Sequence, residues 1–214
     1  MIFLKTEDEI ELLRQSNLLV GKTLAEVAKL VKPGVTTREL DKVAEEFIRD
    51  HGATPTFKGF PNQYGEPFPA SICTSVNEQV VHGIPDKKNI LKDGDIISLD
   101  TGVIYKGYQS DAARTHAVGE ISPEDQKLID VTKQSFFEGM KMAKAGNHLY
   151  DISKAIQDYA ESNGFSVVRD FVGHGVGTHL HEEPEVPNYG APGHGPRLLP
   201  GMTIAIEPMV NVGT

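Results

Sequence analysis

The chain has 214 residues, 39% hydrophobic and 24% charged, a balance that fits a folded single domain and argues against wholesale disorder. Its 30 acidic against 21 basic residues, a formal charge of −9, argue against a general nucleic-acid surface. The single cysteine, Cys73, rules out an intramolecular disulfide, and no apolar run approaches the ~18 residues of a membrane span. The amino terminus, with Glu7, Asp8, Glu9 and Glu11 soon after Met1, lacks the order of a signal peptide, so the cytoplasm is the expected compartment.

Thr6-Glu7-Asp8-Glu9 reads as a capping box that opens a helix with Ile10, Leu13, Val20, Leu24, Val27 and Val31 on its inner face. Lys32-Pro33-Gly34 ends it. Thr36-Thr37-Arg38-Glu39 opens a second helix with the stripe Leu40, Val43, Ala44, Phe47 and Ile48, and Gly52 stops it. Strands are expected at 70–81, 95–105 and 108–118, rich in β-branched residues.

The same grammar returns in the second half of the chain, at a constant offset and without a gap. Ser122-Pro123-Glu124-Asp125 opens a helix with Ile129, Thr132, Phe136, Met140 and Ala143 inward, and Lys144-Ala145-Gly146 matches Lys32-Pro33-Gly34. A fourth helix carries Ile152, Ala155, Ile156, Tyr159 and Ala160, and Gly164 matches Gly52. Strands at 166–172 and 202–212 follow. The expectation is one α+β domain over 1–214, with an internal repeat of about 6–118 and 122–214, mostly antiparallel sheet and helices on one face.

Asp100 and Asp111 flank a predicted hairpin whose turn is Lys106-Gly107. That register faces Asp100 with Ala113 and puts both carboxylates on one side of the sheet as diagonal neighbours. Such a pair is either the solvated face of a surface hairpin or two like charges sharing a cation or proton. Gly173-His174-Gly175-Val176-Gly177 frames one imidazole, and Pro184 excludes the helical zinc-protease signature from the His181-Glu182-Glu183 run. Glu207 lies among isoleucines, Ala205 and Met209, where burial is costly without a partner. As a set, three carboxylates and one imidazole without thiolate suit divalent Mn, Fe or Co, or Zn, and bridging carboxylates permit two metals.

The run 72–78 with Val81-His82-Gly83-Ile84-Pro85, then Leu99-Asp100, Ser110-Asp111, the Gly173–Gly177 loop, His181-Glu182-Glu183-Pro184 and Ile206-Glu207-Pro208-Met209, resembles the type I methionine aminopeptidases of peptidase family M24 along nearly the whole chain. The resemblance implies a pita-bread fold and a centre of two divalent metals (Co, Mn, Fe or Zn) held by Asp100, Asp111, His174 and Glu207. It implies hydrolysis of the first peptide bond of a nascent chain, releasing methionine when the second residue is small. Glu207 would carry the proton, His181 steady the oxyanion and His82 hydrogen-bond the scissile amide or the tetrahedral intermediate. Phe60, Phe68 and Cys73 are expected to line an apolar methionine pocket. The implied partners are nascent peptide termini and the ribosome, with no direct nucleic-acid or membrane binding and a monomeric state.

Two departures from the family pattern stand out. Its fifth ligand, a glutamate on a later strand, has no counterpart, so a fragment or an incomplete centre is expected, with an exposed sheet edge. The loop at 57–68 is longer than the family's usual one. The competing expectations are a proline-directed peptidase of the same fold and a non-enzymatic binding protein.

Overall fold

A computed structural model describes residues 1–61 and 65–213. The chain forms two compact units. One, here the N-terminal unit, comprises Glu11–Ser122 and Thr178–Leu180; the other, the C-terminal unit, comprises Met1–Ile10, Pro123–Gly177 and His181–Thr214. The class is α+β, as the sequence predicts, with four helices and antiparallel sheets among the described residues.

The helix α1 (Glu7–Ala28) starts at the predicted box, with the Thr6 N–H donating to Glu9 Oε2 at 2.8 Å. In the N-terminal unit α1 buries Leu13, Ser16, Leu19, Val20, Thr23, Leu24 and Val27. Ile10 is 40% exposed, not inward, because the stripe begins one turn later. The reciprocal box of Thr36 and Glu39 caps α2 (Thr37–Asp50). Strands β1 (Thr54–Pro55), β2 (Ile72–Val76), β3 (Ile96–Tyr105) and β4 (Tyr108–Ala117) make one antiparallel sheet in which β3 pairs with all three others. The Lys106-Gly107 turn has two positive φ angles, +52° and +84°, and closes the predicted two-residue hairpin with Tyr105 opposite Tyr108 and Asp100 opposite Ala113.

The position of Asp100 follows from the pleat. Ile97 and Leu99 are fully buried with Leu24, Leu40, Ala44 and Ile72 in the core beneath the helices, each leucine or isoleucine side chain stabilising the fold by about 1.5–3 kcal/mol. Ser98 and Asp100 therefore point to the other face, half-buried. The predicted strand at 70–81 stops at Val76, where Asn77 takes φ +53° and its side chain holds Asp95 and the Ile96 N–H.

In the C-terminal unit α3 (Pro123–Met142) buries Val131, Ser135 and Gly139 rather than the predicted Ile129, Thr132, Phe136, Met140 and Ala143. Met140 is 47% exposed. The reason is close packing: a Cβ on Gly139 would lie 2.8 Å from Ile156 of α4 (Leu149–Ser162), so small residues mark the contact and a hydrophobic count misses them. Strand β5 (Ser166–Val167) pairs with β9 (Val210–Asn211), and β6 (Gly173–Gly175) lies between β7 (Glu182–Val186) and β8 (Ile204–Ala205). The predicted strands 166–172 and 202–212 are thus shorter and interrupted, since Pro208 offers no N–H to a ladder. β1, β6 and β7 are not foreseen by the sequence pattern, which reads 173–177 as a glycine-rich loop.

The internal wiring of the two units corresponds closely. The buried residues of α2 are Thr37, Leu40, Asp41, Ala44 and Ile48; those of α4, matching them one for one in order and spacing, are Leu149, Ile152, Ser153, Ile156 and Ala160. Gly34 donates to Leu91 O and Gly146 to Leu198 O; Thr56 N donates to Gly102 O and Val168 N to Met209 O; Asn77 N donates to Ile96 O and Val176 N to Thr203 O. Thr54 faces Ile104 as Ser166 faces Asn211. Along β3 and its counterpart stretch 203–211 the correspondence keeps step, from Ile96 with Thr203 to Gly102 with Met209, so Asp100 and Glu207 occupy equivalent places.

Candidate functional site

In the N-terminal unit the hairpin register sets Asp111 opposite Gly102, two rungs from Asp100, so both carboxylates leave the same face. Cys73 pairs directly with Asp100 across β2 and β3. Burial pushes its thiol well above the ordinary range, and the negative charges of Asp100 and Asp111 push it further, so this sulfur stays protonated. Around Cys73, Phe57 and Leu180 complete a buried apolar cluster with Phe60 and Phe68 against it, Phe57 and Phe68 meeting edge to face at 6.4 Å. The predicted pocket residues Phe60, Phe68 and Cys73 therefore share one apolar wall in the same unit as the two aspartates. Residues 62–64 of the predicted long loop lie outside the described residues.

His82 is exposed and adopts φ +58°, an uncommon conformation for histidine. Its neighbour Gly83 is clamped to β2: Thr74 N donates to Gly83 O at 2.7 Å, and Gly83 N donates to Ser75 Oγ at 3.0 Å. A Cβ at Gly83 would stand 2.2 Å from Thr74 O, so only glycine permits this approach.

In the C-terminal unit His174, 8% exposed, stands in the middle of β6. Its Nδ1 is 2.8 Å from Gly175 O, an acceptor only, so Nδ1 carries the proton and Nε2 presents its lone pair. That Nε2 is 3.2 Å from Glu207 Oε1, a buried oxygen with no hydrogen-bond donor among the described residues. A lone pair facing a carboxylate oxygen at this range is repulsive unless a proton or a cation is shared between them. The pair thus fits a divalent metal: an imidazole nitrogen and a carboxylate oxygen, the tautomer already fixed by the second ring nitrogen. The His181 ring meets His174 edge to face at 4.5 Å. Glycines let the strands close in around this group, since a Cβ at Gly173 would fall 2.3 Å from Ala205 O and one at Gly175 2.3 Å from Glu183 O.

Sequence reasoning missed several supports. Asn188 is fully buried and donates from Nδ2 to Glu207 O at 2.7 Å, fixing the backbone beside the carboxylate. Nothing in the sequence pattern around it points to that role. Leu180 gave no signal either, whereas Ser75 stood within the run 72–78 and Phe57 within the loop at 57–68, neither of them singled out.

A family model, "Metallopeptidase family M24", matches residues 11–213. The methionine aminopeptidase of Clostridium acetobutylicum is 59% identical over the full chain, which covers 84% of that relative. Methionine aminopeptidase 1 of Bacillus subtilis is 52% identical with the same coverage. Among solved structures, the methionine aminopeptidase of Thermotoga maritima superposes with a TM-score of 0.94 at 45% identity, over 100% of this chain and 84% of that one. A Xaa-Pro dipeptidase from Bacillus anthracis gives 0.80 at 27% identity, over 96% of this chain and 54% of that one.

Proposed function

The chain belongs to metallopeptidase family M24 and has its pita-bread fold, and from that premise we propose that it removes the N-terminal methionine from nascent proteins and peptides whose second residue is small. The observation that carries this reading is the high identity to methionine aminopeptidases along the whole chain, far above that to the proline-directed relative. The ligands of the proposed two-metal centre are Asp100, Asp111, His174 and Glu207, with Co, Mn, Fe or Zn as the ion. Bound there, divalent ions would acidify a water and draw charge from a carbonyl oxygen.

The side chains of the protein supply the rest. Glu207, with one oxygen that takes no hydrogen bond among the described residues, accepts a proton from the attacking water and returns it to the leaving amine. His181 hydrogen-bonds the oxygen that becomes negative, and His82 the scissile amide or the tetrahedral intermediate. The apolar wall of Phe57, Phe60, Phe68 and Cys73 receives the thioether side chain, and the protonated, unreactive thiol suits that role. Among the described residues no helix is long and apolar enough to cross a membrane. Nascent chain ends are the proposed partners, with the ribosome, in the cytoplasm, and the proposed state is a monomer.

Rates on Met-Ala-Ser against Xaa-Pro peptides test the substrate class: fast methionine release with negligible proline-directed cleavage is expected. Asp111→Asn should abolish manganese- or cobalt-dependent release. Full activity in that variant would remove Asp111 from the centre.

A further inference from the structure

The first residues of the chain belong to no motif, yet Lys5 is deeply engaged in the C-terminal unit. Its Nζ lies 2.5 Å from Glu182 Oε2, with both side chains only 6% exposed. Its backbone N–H donates to Gly201 O at 2.7 Å, which pins the segment that delivers it. An ammonium and a carboxylate withdrawn from water in this way are costly to bury and strongly destabilising to break. Gly177 makes room for them: a Cβ there would stand 2.5 Å from Glu182 Oε1 and 2.6 Å from Lys5 Cε.

Glu182 is the first residue of β7, pairs with Gly175 beside His174, and directly follows His181. We infer that Lys5 is a positioning residue: through its buried ion pair with Glu182 it sets the direction in which the His181 imidazole leaves the chain. The inference rests on the reading of His181 as the group that meets the developing oxyanion. Releasing the pair frees the start of β7 and lets the His181 ring rotate away from its edge-to-face seat on His174.

The test uses the full chain. On manganese-loaded protein and Met-Ala-Ser, Lys5→Met should lower kcat about tenfold or more while KM stays within about twofold, since a misplaced group costs rate rather than binding. Lys5→Arg should recover most of the rate. In the zinc-loaded protein, the His181 ring cross-peak, identified by its loss in His181→Asn, should shift in Lys5→Met while those of His51 and His194 stay in place. An unchanged kcat in the folded Lys5→Met protein, or an unmoved His181 cross-peak, overturns the inference. If Lys5→Met proves unfolded at the assay temperature, Lys5→Met/Glu182→Leu removes both charges, and a wild-type kcat in that double variant overturns it equally. Should the wild-type chain release no methionine, the proposed activity fails on its own, and the cross-peak still decides the role of Lys5.

Discussion

From Thr56 to Asn77 the N-terminal unit takes a long excursion, whereas the C-terminal unit covers the equivalent path, Val168 to Val176, in a short one. On the next stretch the imbalance reverses: Asn77 to Ile96 is the shorter path and Val176 to Thr203 the longer. The first excess contains Phe60 and Phe68, just ahead of Cys73 on β2; the second contains His181 and β7. What the units share, by contrast, ends in Asp100 on one side and Glu207 on the other. Common wiring thus places Asp100 and Glu207, whereas Phe60, Phe68 and His181, three of the groups proposed to face the peptide, lie where the two paths differ in length; His82 lies on the shorter path from Asn77 to Ile96. Loops can vary in length without disturbing a paired strand, which is why difference accumulates there.

The sharpest way to break this comparison is at the equivalent carboxylates. Glu207→Gln should reduce kcat on Met-Ala-Ser by about 10²–10⁴-fold, the usual worth of a positioned proton carrier. Asp100→Asn should fall comparably under steady-state assay with added manganese, so full activity in either variant would show that equal place does not mean equal use. A second contrast sets Gly175 against its counterpart Val76. Gly175→Ala forces a Cβ against Glu183 O and should cost about 1–3 kcal/mol in urea unfolding, because β7 has no equivalent beside Val76.

A subtler contrast opposes Asp41 and Ser153, buried polar residues at equivalent places on α2 and α4. Burial lifts the Asp41 carboxyl above its usual 3.8, opposed by the Ser71 N–H, 2.7 Å from Oδ1, and by Arg38. The folded chain then keeps this proton to higher pH than the unfolded chain, so the group costs stability as pH rises from about 4 through its folded value. Asp41→Asn should therefore gain on the wild type between acid and neutral pH in urea titrations, whereas Ser153→Ala should shift stability equally at all pH values. The smallest effect is expected at Gly52 and Gly164, with φ +71° and +89° and open space around each. Alanine at either should cost about 1 kcal/mol of thermal stability, the same in both units within error.

Legibility followed the kind of force at work. Caps and the hairpin obey local rules, so Thr6, Thr36, Lys106-Gly107 and the partner of Asp100 could be read from neighbours in sequence. The inner face of α3 could not, because Ser135 and Gly139 are chosen for closeness rather than for apolarity. Nor could β7, whose run of acids around Pro184 resembles no strand until His174 needs a flank. The roles of Lys5 and Asn188 depend on partners far off along the chain, Glu182 and Glu207, and no pattern within the sequence announces such pairings.

The tight link between β3 and β4 also carries a rule about heredity. One amino acid inserted between Lys106 and Gly107 would turn every later side chain of β4 over, sending the Asp111 carboxylate to the helix-packed side and the small, uncharged Ser110 and Ala112 to the face it left. Two would restore the side but displace Asp111 by a full step from Asp100. This bend, though it sits at the tip of a hairpin where drift is ordinarily harmless, should be closed to any change in length.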